Sequence, residues 1–168
     1  MTYGIIDAPL LNFQLQQILS SGKIYVPSVR LAAEIMYLTG CRAVESITPD
    51  MWERLSFKSY ILHPQKGNND RVITNTAIPD LFDGILQSGS NFFNTINYDK
   101  LKYHMNIALI NRQYRIGNKD TVCHIFRHNY AKQLALQGYS DEDIQHDLGE
   151  VNLESAQGYI NSEIFGYY

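Results

Sequence analysis

Gly67-Asn68-Asn69-Asp70 is the feature that most limits what this chain can become. These four turn-forming residues separate two runs, 57 to 63 and 71 to 76, that are rich in β-branched and aromatic side chains. Glycine and asparagine tolerate the positive φ angles of a tight connection, so the segment predicts an antiparallel hairpin over about 57–76 with Lys66 at its tip. Almost everything around it has helical punctuation instead. Leu31, Ala32, Ile35, Met36 and Leu38 recur at helical spacing after Ser28, a candidate N-cap, and stop at Gly40, a residue suited to close a helix. Weak helical spacing covers 9 to 20, and 43 to 55 reads as one or two short helices restarted at Thr48-Pro49-Asp50. Further helices are predicted at 79–88, 97–112 and 122–137, with a polar connection through Gly117 and Asn118. Ser140 with Asp143 predicts a capped helix ending at Gly149, and Asn152 caps a last short helix carrying Tyr159. The fold class expected is α+β, predominantly helical, with one small antiparallel sheet inserted among the helices.

Composition narrows the function classes. A chain of 168 residues with 45% apolar and 18% charged side chains can bury one core and is too apolar for disorder. No apolar run approaches a membrane-spanning length and the N-terminus lacks the pattern of a signal peptide, so a cytoplasmic protein without a membrane partner is expected. Cys41 and Cys123 form no CxxC pair and read as small buried packing residues. The net charge is −3, yet the charges are segregated: seven basic residues against one acid from Lys100 to Lys132, then seven acids and no Lys or Arg. A basic stretch of this kind can bind a polyanion locally, although solvated helix faces account for it equally well. Phosphate-binding loops, GxGxxG, GxSxG and HExxH are missing from the sequence. His124 and His128 stand four apart but have no third ligand at a supporting distance, so neither a metal nor another cofactor is expected.

What remains is a scattered set of cations around a phenol. Residues 39–45, TGCRAVE, resemble the first box of the tyrosine recombinase (phage integrase) family, TGxRxxE, and 66–71, KGNNDR, resemble its lysine-bearing hairpin. Residues 124–160, HIFRHNYAKQLALQGYSDEDIQHDLGEVNLESAQGYI, are similar to the family's HxLRHxxA box, its LGH box, and a tyrosine nine residues beyond that histidine. The resemblance covers about 120 residues in the family's order. It implies an integrase-like catalytic domain over 28–168, preceded by a short extension, 1–27, with no separate N-terminal core-binding domain. Double-stranded DNA is the implied partner, with protomers assembling as a tetramer on two duplexes, nucleoid-associated and serving a mobile element or a related recombination.

The resemblance also implies roles. Arg42 and Arg127 would clamp a phosphodiester, which matches the bidentate chemistry of guanidinium with phosphate. Glu45 would support Arg42, and an Arg42–Glu45 ion pair without any catalytic role is the plain alternative. Lys66 would protonate the leaving 5′ oxygen, His124 would assist proton transfer or bind the phosphate, and Tyr159 would be the nucleophile. Each also has a plain reading, as a turn lysine, a hydrogen-bonded helix histidine and a packed ring. Glu150 departs from the pattern, standing where the family has His or sometimes Trp. An ionised carboxylate cannot donate a hydrogen bond to phosphate. It must be protonated, point away, or reduce activity, and a DNA-binding regulatory module without catalysis is the alternative function.

Overall fold

The computed structural model describes residues 2–64, 67–109, 112–120 and 123–167. A short strand β1 (Tyr3–Ile5) leads into α1 (Ala8–Ser20), whose first turn is capped by Asp7 Oδ1 accepting from Leu10 N at 2.9 Å. Next come α2 (Pro27–Thr39) and the single-turn α3 (Ala43–Ser46). Pro27, not Ser28, opens α2: its fixed φ suits the first helical position, and Ser28 is carried inside the helix and buried.

The predicted hairpin is present as β3 (Ser59–Leu62) and β4 (Arg71–Thr74), paired antiparallel with Tyr60 opposite Ile73. It gains a third strand that the sequence reading placed in a helix. Thr48-Pro49-Asp50 starts only a 3-10 turn (Pro49–Met51), and β2 (Trp52–Ser56) then pairs antiparallel with β3. Strand pairing wins here because it buries Trp52, which meets Tyr60 and Phe82 edge-on at centroid distances of 5.8 and 5.1 Å. Phe82 belongs to α4 (Asp80–Ser88), and the same helix supplies Asp83, whose carboxylate takes both Arg54 Nε and Nη2 at 3.1 Å and the Tyr60 hydroxyl at 2.8 Å.

Helix α5 (Tyr98–Leu109) precedes a ribbon of two two-residue strands, β5 (Arg115–Ile116) and β6 (Lys119–Asp120), which turns at the polar connection through Gly117 and Asn118. Three helices follow: α6 (Ile125–Leu136), α7 (Asp141–Leu148) and α8 (Leu153–Ile160). Ser140 and Asn152 cap α7 and α8 through side-chain oxygens, as their positions predict. The last strand, β7 (Ile164–Tyr167), joins β1 and β5 in a second sheet of order β1-β7-β5-β6. Residues of the N-terminal segment, Ile6, Leu11, Leu15 and Ile18, are buried in the same core as Ile35, Met36 and Phe126. A smaller apolar cluster of Ala131, Leu134, Ile144 and Leu148 holds α7 and α8 on α6, with Tyr159 packed against it. Among the described residues no helix is long and apolar enough to cross a membrane.

Candidate active site

Two helix ends build the site. Gly40, at φ +68°, closes α2 by donating its N–H to Met36 O at 2.9 Å, and the reversed chain presents Arg42 at the start of α3. Gly149, at φ +71°, closes α7 in the same way and presents Glu150. Glycine is required at both. A Cβ on Gly40 would lie 2.4 Å from Tyr130 Cδ1, and one on Gly149 would lie 2.7 Å from Asn69 O.

A pair of buried arginines ties these ends together. Arg127, 1% exposed in the first turn of α6, donates from Nη1 to Gly40 O at 2.7 Å and from Nη2 to Leu148 O at 2.9 Å. Arg71, at the start of β4, makes the equivalent link one residue earlier on each helix: Nε to Asp147 O at 2.5 Å and Nη2 to Thr39 O. Helix C-termini expose carbonyls carrying partial negative charge, so two guanidiniums suit the junction. Burial and the neighbouring Arg127 push the Arg71 guanidinium below its ordinary value, while Tyr130 and Asp147 offset part of that. In the sequence Arg71 marks only the end of the hairpin motif. Its partners are distant in sequence, so no local signal marks it.

Glu150 does not point away. Its Oε1 accepts from Arg42 Nη2 and Arg127 Nη2, both at 2.8 Å, and the residue is buried. Arg42 also donates from Nη2 to Asn68 Oδ1 at 3.1 Å, while Glu45 accepts from its backbone N at 2.6 Å and lies 3.6 Å from Nη1. Two guanidiniums therefore face two carboxylates. The Asn68-Asn69 side of the hairpin connection is docked on this cluster, since Asn69 N donates to Gly149 O at 2.9 Å. Asn68, read as a turn residue, thus touches the site, whereas Lys66 lies outside the described residues.

In front of Glu150 opens a cleft of about 560 Å³ lined by Arg42, His124, His128, Glu150 and Tyr159, with Lys119 and Asp120 on the β5–β6 side. Arg127 is buried and is not one of its lining residues. The Tyr159 ring lies 4.9 Å from the Arg127 guanidinium carbon and 4.7 Å from the His128 ring. His128 Nδ1 is 2.9 Å from Ser162 Oγ, which donates to Tyr159 O at 3.0 Å, so α6 steadies α8 at the phenol. Burial, with His124 and Lys132 nearby, pushes the His128 imidazole down to about 3. His124 keeps an exposed edge on the cleft. Desolvation of its inner side, then Arg127 and Arg42, pushes it below its ordinary value, so it is neutral near pH 7. Cys41 and Cys123 are free and buried, which raises their thiols to about 12 and about 11, outside the reactive range. Among the described residues no three His, Cys, Asp or Glu side chains are grouped so as to hold a metal ion.

No family model and no curated protein matches the chain. Among solved structures, the crystal structure of XerA recombinase is similar with a TM-score of 0.61 at 17% sequence identity, covering 94% of this chain. The fold is recombinase-like. The chain spans 60% of that chain's length, and at this identity the likeness speaks for the fold alone.

Proposed function

We propose that this chain is the catalytic domain of a tyrosine recombinase, cutting and rejoining DNA strands through Tyr159. The observation that carries the reading is the convergence of Arg42 and Arg127 on one oxygen, Glu150 Oε1, at 2.8 Å each, beside the Tyr159 ring. An oxygen anion gripped by two guanidiniums is the arrangement a nonbridging phosphate oxygen needs, and the carboxylate occupies that place in the DNA-free chain.

A free phenol, with pKa about 10, is a weak nucleophile at neutral pH. Attack of the Tyr159 oxygen on phosphorus forms the 3′-phosphotyrosyl bond and breaks the bond to the 5′ oxygen. The phenol proton passes to neutral His124 or to water, and Lys66 supplies a proton to the departing 5′ oxygen. The extra charge on the nonbridging oxygens is met by Arg42 and Arg127 once Glu150 yields. Each such donor is worth roughly 10²–10³ in rate. The phosphotyrosyl bond retains the energy of the phosphodiester, so a 5′ hydroxyl from another strand restores it without a cofactor. Protomers assembling on two duplexes belong to the same reading.

The test is covalent capture. A nicked duplex that loses its 5′ fragment should leave a protein–DNA adduct that survives denaturation, and Tyr159→Phe should abolish it. The filled arginine site favours a second reading, a DNA-binding regulatory module, and bound DNA without any adduct would select it.

A further inference from the structure

The four-stranded sheet has an outer face that the catalytic cleft does not use. On β7, Ile164 and Gly166 turn inward: a Cβ on Gly166 would meet Ile6 Cδ1 at 2.7 Å and Tyr114 Cδ1 at 2.8 Å. Phe165 and Tyr167 turn outward by the period of the strand. Tyr3 pairs with Tyr167 across the ladder, and Ile5 and Arg115 each pair with Phe165. The Tyr3 ring stacks on Phe165 at 6.5 Å and 19° and meets Tyr167 edge-on at 5.3 Å. Tyr3 remains 41% exposed and Ile5 50%.

These rings floor an open groove of about 600 Å³ whose rim carries Arg115, Gln113, Asn118 and Glu163. Amides and a carboxylate can match the donors and acceptors of a base edge, and Arg115, held loosely by Asp120 at 3.5 Å, can meet a backbone phosphate. One ribbon divides groove from cleft. Ile116, Lys119 and Asp120 of β5–β6 line the cleft with Tyr159, while Arg115 and the Gly117-Asn118 turn of that ribbon line the groove.

We infer that this groove binds unpaired nucleotides of single-stranded DNA, stacking bases on Tyr3, Phe165 and Tyr167. The inference rests on the proposed function: a strand cut in the cleft must unpair before it rejoins elsewhere, and the groove lies one ribbon away. Exposed π faces accept any base, whereas a paired base hides its faces in the duplex stack. A single arginine among aromatic rings also suits a short unpaired end better than the many phosphates of a duplex.

The experiment uses the full chain carrying Tyr159→Phe, so that no covalent link forms, titrated by fluorescence anisotropy with a labelled unpaired hexanucleotide and with a hairpin duplex. Tyr3→Ala should weaken the hexanucleotide about tenfold and leave the duplex within twofold. Arg115→Gln, also a surface change, should weaken it severalfold. The inference is overturned if the hexanucleotide does not bind, if both variants bind it within twofold of the parent, or if hexanucleotide and duplex weaken equally. Adduct formation by the wild-type chain with an unresponsive groove removes this inference and leaves the catalytic reading. A responsive groove without adduct does the reverse.

Discussion

Replacing Glu150 by glutamine tests the central geometry because it changes charge and almost nothing else. In the wild-type chain Glu150 Oε1 accepts two charge-assisted hydrogen bonds of 2.8 Å, one from the fully buried Arg127. Such bonds contribute about 1.5–3 kcal/mol each, and removing one partner of a buried ion pair costs about 3–5 kcal/mol. The glutamine oxygen can still accept both bonds, so the loss lies below that range, at about 2 kcal/mol from missing charge compensation. For a domain of this size that lowers Tm by about 4–8 °C. The same substitution makes the anion seat easier to enter, because an incoming anion displaces a neutral amide oxygen from two guanidiniums more readily than a carboxylate. Sulfate at a hundredfold excess over its Kd restores about 2.7 kcal/mol in the variant, while in the wild-type chain the ion must displace a tethered carboxylate and Tm moves little. Thermal melts of both proteins across a sulfate series, at matched ionic strength in chloride, measure this directly. Adduct yield on the nicked duplex should rise in parallel. If the variant melts with the wild type and responds to sulfate no more strongly, Glu150 is not the occupant of a phosphate site and the argument fails.

Two further outcomes are expected. Gly149→Ala places a methyl in the left-handed region at φ +71° and 2.7 Å from Asn69 O, so it should lose about 2–3 kcal/mol by denaturant unfolding, and protease should cut the 63–71 hairpin faster as its hold on Gly149 weakens. His128 has a folded value of about 3 against an ordinary 6.5, so the unfolded chain binds the extra proton between those values. The stability it confers is complete above pH 6.5 and declines as pH falls toward 3, at a slope approaching 1.4 kcal/mol per pH unit. His128→Asn should flatten that part of the stability curve, and an unchanged slope would show that the imidazole is not held neutral.

Helix boundaries were the most legible part of the sequence, because capping is chemistry between neighbours. Gly40, Ser140, Gly149 and Asn152 act where their local patterns place them. The hairpin at 67–70 was legible for the same reason. Residues 52–56 were not: Thr48-Pro49-Asp50 is a sound helix-start signal, but the burial of Trp52 against Tyr60 and Phe82 decides for a strand. The second sheet left no trace either, since its strands are two to four residues long and β1 finds its partner some 160 residues away.

The candidate site divides along the same line. The resemblance to the recombinase motifs brought Arg42, His124, Arg127, Glu150 and Tyr159 forward as a set, and the segregated charges placed Arg127 in a basic stretch and Glu150 in an acidic one. Only the folded chain turns that segregation into a contact, with Glu150 seated between two arginines drawn from different helices. Arg71 and Asn68 emerge only there as well. The reason is physical: a cap or a turn is settled by atoms a few bonds apart, whereas a buried ion pair forms only where packing has already expelled the water that would otherwise solvate each charge.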